Sequence, residues 1–123
     1  MTVKVVDLSH CYWFPAATIV TTLIHLKNLE ELYVKDTKLS LAGIALIFQE
    51  CFFLKKLSID VKERSWKEYS DTPEWKLFSL RNGIERLSSI HFCFEGNSYE
   101  VWHLIFRVLG YQIFPIQLSP MIN

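Results

Sequence analysis

One spacing recurs along this chain and limits its architecture more than any other feature: apolar–x–x–apolar–x–apolar. It is written as Val3–Val6–Leu8 in "VKVVDLSHC", Leu29–Leu32–Val34 in "LEELYVKDT", Leu54–Leu57–Ile59 in "LKKLSIDVK" and Leu87–Ile90–Phe92 in "LSSIHFCFE". The starts lie 26, 25 and 33 residues apart. One further period lands on "IFPIQLSPM", where Ile113–Ile116–Leu118 supply a partial fifth copy. The apolar ending, with Pro115 inside it, therefore reads as one more strand and not as a tail or an anchor. Self-similarity at a period of roughly 20 to 50 residues signals stacked units, none of which can bury its apolar face alone.

The fourth and sixth positions alternate about a solvent-facing residue, so their side chains share one face of a strand. Between strands the period becomes helical: Leu41, Ile44, Ala45 and Phe48 in "LSLAGIALIFQECFF" recur at three- and four-residue steps, with Ser40 placed as a cap. "FPAATIVTTLIHL", "DTPEWKLFSLRNG" and "NSYEVWHLIFRVLG" fill the same slot in their own copies. Gly83 and Gly110 fall where left-handed helix stops are expected, and Pro73 just inside a helix start. The pattern is that of a leucine-rich repeat. It predicts an α/β solenoid of about four to five repeats, with a short parallel β-sheet on the concave face and helices on the convex face. At 123 residues the chain is one domain, 1–123.

The period near 26, "DLSHC" closing the first strand, and "LKNLEEL" and "CFFLKKL" (where "CPNLKKL" would be typical) resemble the cysteine-containing leucine-rich repeats of F-box proteins. The resemblance covers essentially the whole chain and is more specific for the repeat subtype than for function. Ribonuclease-inhibitor-type repeats, of slightly longer period, are the nearest alternative. Thr37 and Lys62 stand where the family pattern has cysteine. Proteins of this family are substrate receptors of cullin–RING ubiquitin ligases, in which an F-box helix bundle docks the adaptor and the repeats hold the substrate. No F-box-like segment precedes Val3, so the resemblance implies the recognition half without the docking half.

The third, fifth and seventh positions of each copy face the concave side. They are Val5, Asp7 and Ser9; Glu31, Tyr33 and Lys35; Lys56, Ser58 and Asp60; Ser89, His91 and Cys93; and Pro115, Gln117 and Ser119. Strands roughly 4.8 Å apart make like positions lateral neighbours, which sets Glu31 beside Lys56 and Lys35 beside Asp60. A slip of one residue would bury these charges. The longer third interval marks an insertion, about residues 61–73, carrying Trp66 and Tyr69. Insertions of this kind map to loops on one face, and Trp and Tyr are enriched in binding hot spots. Trp66 and Tyr69 are read equally well as covering the solenoid's flank, and Trp75 better so. The candidate protein-binding residues are thus Tyr33, Lys35, Lys56, Asp60, His91, Trp66 and Tyr69.

Other chemistries find little support. Lys plus Arg and Asp plus Glu are 13 each, and acids interrupt the cations, which leaves nucleic acid a remote alternative. Three isolated cysteines without a CxxC fit a reducing compartment, cytoplasmic or nuclear, and no apolar run approaches a membrane span. His91 and Cys93 could form half a metal site, but zinc needs about four ligands. No nucleophile–base pair or glycine-rich phosphate loop is written here, so neither enzyme activity nor a cofactor is expected. The expected function is a protein–protein interaction module, the substrate-recognition part of an F-box-type receptor. The alternative is a truncated fragment without binding activity of its own, self-associating through solenoid ends that carry no polar caps.

Overall fold

Three short β-strands open the chain: β1 (Val5–Asp7), β2 (Glu31–Tyr33) and β3 (Lys56–Val61). Two more follow, β4 (Ser89–Phe94) and β5 (Ile116–Pro120). The helices α1 (Ala16–Leu23), α2 (Leu41–Glu50) and α3 (Glu74–Glu85) separate the first four strands. The computed structural model describes residues 2–61, 74–94, 103, 105 and 116–120. All pairings are parallel and the sheet order is the chain order, β1-β2-β3-β4-β5. Parallel neighbours cannot be joined by a tight turn, so each crossover needs a long connection, and here a helix fills it.

The register is the one that the apolar spacing dictates. Val6 pairs with Leu32, Leu32 with Leu57, Leu57 with Ile90 and Ile90 with Ile116. The first, fourth and sixth positions of the second, third and fourth copies are all buried. They merge with Ile19 and Leu23 of α1, Ile44, Ile47 and Phe48 of α2, and Leu80 and Ile84 of α3 into one core. Val6 and Leu8 of the first copy are only partly buried against it. Helix packs on sequence neighbour, α1 on α2 and α2 on α3.

One backbone arrangement repeats at every junction between the first four copies. The Lys4 carbonyl accepts from the N–H groups of Glu30 (2.8 Å) and Glu31 (3.0 Å). The Glu30 carbonyl accepts from Lys55 (2.8 Å) and Lys56 (3.1 Å), and that of Lys55 from Ser88 (2.8 Å) and Ser89 (3.2 Å). Side chains follow the same row: the Lys4 and Lys55 ammonium groups flank the Glu30 carboxylate at 3.6 and 2.6 Å.

Strand exits repeat as well. His10 and Asp36 occupy the same position in the first two copies, and both are left-handed, with φ of 71° and 54°. This conformation is enriched in His, Asn and Asp among non-glycine residues and is poor for β-branched ones. The equivalent residue of the third copy is Val61, which stays in the strand and pairs with Phe94. The insertion expected from about residue 61 thus leaves Val61 itself in the strand.

Both ends of α2 are served by side chains. Ser40 caps α2, its hydroxyl accepting the Gly43 N–H at 3.2 Å. At the other end of α2, the Arg86 guanidinium donates to the carbonyls of Phe48 (2.7 Å) and Phe52 (3.3 Å) and stands 5.3 Å from the centre of the Phe52 ring. A cation here satisfies carbonyls that lack helical partners. Gly83 departs from the sequence expectation. It is not a helix stop but lies inside α3, where a Cβ would overlap the Phe48 side chain. The glycine is required by close approach of α2 and not by backbone handedness. The expected stop at Gly110, the helix start at Pro73, Trp66, Tyr69 and Pro115 lie outside the described residues.

A candidate binding face on the sheet

Outward-facing residues of β2, β3, β4 and β5 are brought side by side by the register Tyr33–Ser58–His91–Gln117. They border an open depression of about 330 Å³, whose lining includes Tyr33, Lys35, Lys56, Ser89, His91 and Gln117. Four of the residues singled out in the sequence, Tyr33, Lys35, Lys56 and His91, thus meet in one place. Ser58 forms part of its floor and is itself buried, as is Cys93 two places beyond His91.

Asp60 is placed differently. Its carboxylate accepts the Asp36 N–H at 2.7 Å and so closes the turn that leaves β2. Beyond Tyr33 the second strand gives way to that turn, so Lys35 and Asp60 are not strand partners. Glu31 and Lys56 are partners in register, as expected. The Glu31 carboxylate, however, accepts the Tyr33 hydroxyl at 2.6 Å, and this bond pushes the phenol's pKa above its ordinary value. Asp7, in the same row on β1, accepts the Ser9 N–H at 2.9 Å, which lowers its pKa. Each of these three carboxylates is bound to a donor of the chain.

His91 joins three strands. Its Nδ1 stands 3.4 Å from the Ser58 hydroxyl and its Nε2 stands 2.7 Å from that of Ser119. Serine hydroxyls donate and accept, so a neutral imidazole in either tautomer satisfies both contacts. Burial lowers the His91 pKa, and the nearby Lys35 charge lowers it further. An acyl-transfer base would have its Nδ1 oriented by a carboxylate, whereas a serine hydroxyl stands there. The row can hold strands in register and offer polar groups to a ligand. Burial raises the Cys93 thiol pKa, as it does that of Cys51, whose Sγ points at the Leu23 and Leu26 carbonyls (3.4 and 3.5 Å). Among the described residues, no three His, Cys, Asp or Glu side chains cluster as metal ligands. Nor is any helix of the described residues long and apolar enough to cross a membrane.

Sequence reasoning missed two features. The Lys4–Glu30–Lys55 ladder occupies the second position of consecutive copies, and its alternating sign was readable from the same alignment. The bond between His91 and Ser119 runs diagonally, since the direct partner of His91 is Gln117. Lateral alignment alone does not show it. Comparison with protein-family models, with curated proteins and with solved structures finds no match to this chain.

Proposed function

We propose that this chain is a protein–protein interaction module, a short leucine-rich-repeat solenoid that holds a segment of a partner protein against its exposed sheet face. The observation that carries the reading is the depression across four parallel strands, bordered by Tyr33, Lys35, Lys56 and His91. The solenoid reading is supported by the junction bonds that recur at Lys4, Glu30 and Lys55. It is supported too by the cysteine thiol of "CFFLKKL" set against the carbonyls at the end of the preceding helix. With the resemblance to the repeats of F-box proteins, the biological role becomes substrate recognition for ubiquitination. The test is affinity capture from cytosol with the parent chain, a Tyr33→Ala/Lys35→Glu variant and a Trp66→Ala variant. A partner held by the parent and lost by the first variant supports the reading. Partners captured equally by all three would remove the sheet face from consideration.

A specific observation favours a second reading, self-association. Tyr12, Trp13 and Phe14 are exposed, Tyr12 edge-on to Trp13 at 5.3 Å and Trp13 tilted against Phe14 at 5.7 Å, and Phe52 and Phe53 are exposed on the helix-to-strand turn. Light scattering separates the two: a monodisperse monomer with a cooperative melt ends the second reading.

A further inference from the structure

The outer edge of β1 offers the same groups that each inner strand offers to the strand before it. Lys4, Val5 and Asp7 of the first copy correspond in register to Glu30, Glu31 and Tyr33 of the second. In the second copy the Glu30 and Glu31 N–H groups reach the Lys4 carbonyl, and the Tyr33 carbonyl receives the Leu8 N–H. The third copy repeats the set: Lys55 and Lys56 donate to the Glu30 carbonyl, and the Ser58 carbonyl accepts from Val34. In the first copy the equivalent groups are the N–H of Lys4 and of Val5 and the carbonyl of Asp7. They face the side of β1 on which the described residues place no strand. The apolar positions are open there as well. Val6 and Leu8 are only partly buried, and Val5 is 52% exposed.

An open edge is a template for a further strand, and a lysine on it turns away strands that bring no acid. The sheet itself contains the arrangement that fits. Lys55 holds the second position of the third copy, and the strand seated on its outer side brings Glu30 to 2.6 Å. Lys4 holds that position in the first copy, with Glu30 3.6 Å away on the inner side and its own side chain 65% exposed. We infer that the outer edge of β1 receives an extended segment of a partner protein as a further parallel strand, reading apolar–acidic–x–apolar–x–apolar. The carbonyl of its second residue takes the Lys4 and Val5 N–H groups, and its sixth N–H goes to the Asp7 carbonyl. Its acid lies beside Lys4 as Glu30 lies beside Lys55, and its fourth and sixth side chains close over Val6 and Leu8. Main-chain bonds give an added strand its affinity, and alternate side chains give it selectivity. This edge is separate from the sheet depression and adds a second surface to the molecule.

The experiment is hydrogen exchange on the full chain, read by NMR at the Val5 and Asp7 amides during titration with end-blocked peptides. The parent peptide is LEELYV, the sequence of residues 29–34, which already pairs with a strand carrying lysine at its second position. Three relatives carry lysine at the second position, an N-methyl group on the sixth amide, or an N-methyl group on the fifth. Saturating LEELYV is expected to slow exchange at Val5 and Asp7 at least about tenfold. Methylating the sixth amide should remove that protection, whereas the fifth amide faces away from β1 and should tolerate it. The lysine peptide should bind about three- to fivefold more weakly, the usual weight of an exposed ion pair. Lys4→Glu should reverse the order of the two peptides and Lys4→Gln should abolish it. Circular dichroism confirms that each variant is folded, and Lys4→Gln serves if the charge reversal is not. No slowing with any peptide overturns the inference. Slowing that survives methylation of the sixth amide, or equal binding of the acidic and lysine peptides, overturns it also. Slowing that grows with chain concentration without peptide assigns the edge to a second copy and removes the partner strand. The sheet depression is decided separately by the capture experiment.

Discussion

At the scale of single residues, His91 and Gly83 do the work that substitution can isolate. His91 is packed between two serine hydroxyls, and its folded pKa lies below the ordinary 6.5 because burial disfavours the cation. In the window just below 6.5 the unfolded chain therefore binds more protons than the folded one, and stability rises with pH there. The His91 contribution is whole above that value and is lost as pH falls toward the lowered folded pKa. Glu30, Glu50 and Asp7 also have lowered pKa values, but their loss belongs to a more acidic window, below about 4.5. Melting temperature should thus fall between about pH 7.5 and about pH 5, and His91→Gln, which bonds without titrating, should flatten that slope. An unchanged slope in the variant would assign it to other groups. At Gly83 two effects oppose each other. Alanine would gain up to about 1 kcal/mol of helix propensity, whereas overpacking against Phe48 costs about 1–3 kcal/mol. Gly83→Ala should destabilise on balance, and less so in a Phe48→Leu background, a coupling that a double-mutant cycle measures.

At the scale of the strand, alternation decides which residues matter. Leu57 is buried near the start of β3, the third of the five strands, and its neighbour Lys56 is exposed on the other face. Leu57→Ala should cost on the order of 2–5 kcal/mol in chemical denaturation, because it removes contacts and leaves a cavity. Lys56→Ala should cost well under 1 kcal/mol. Equal costs would mean that the strand is one residue out of register. Strands were the most legible elements in the sequence, since each copy writes its buried face at fixed spacing and a slip would invert every side chain. The Ser40 cap of α2 was legible for a similar reason: a hydroxyl directly before an apolar helical run has a local use. The role of Gly83 was not, because nothing in its neighbours announces that the Phe48 ring comes to rest there. Nor was the binding face wholly legible. The spacing brought Tyr33, Lys35, Lys56 and His91 to one side, but the diversion of Asp60 to the Asp36 N–H depends on how tightly the chain turns after Tyr33. That turn is a property of backbone handedness at Asp36, which a lateral alignment of side chains does not contain.

At the scale of the whole molecule, each copy packs mainly on its neighbours in sequence, so stability is passed along the sheet as a series of adjacent interfaces. Such an array need not open all at once. The first copy is the weak link among those described: Val6 and Leu8 are only partly buried, whereas Leu32 and Val34 in the second copy are fully so. Among the described residues, β1 also has β2 as its single strand neighbour, while β2 is paired on both sides. Two amides make a controlled comparison. The Leu8 N–H donates to the Tyr33 carbonyl at 2.8 Å, and the Val34 N–H donates to the Ser58 carbonyl at 2.9 Å. The bonds are equivalent in position and length, so any difference in their hydrogen exchange reports the packing around them and not the bonds themselves. Local openings expose weakly packed segments well before global unfolding does. Val34 should therefore be protected at least about tenfold more than Leu8, about 1.4 kcal/mol in opening free energy, once intrinsic exchange rates are divided out. Leu57→Ala should bring the Val34 protection down, because it weakens the interface on which β2 rests, and it should leave the Leu8 opening nearly unchanged. Equal protection of the two amides, falling together in the variant, would show instead that the sheet opens as one unit and that the first copy is held as firmly as the rest.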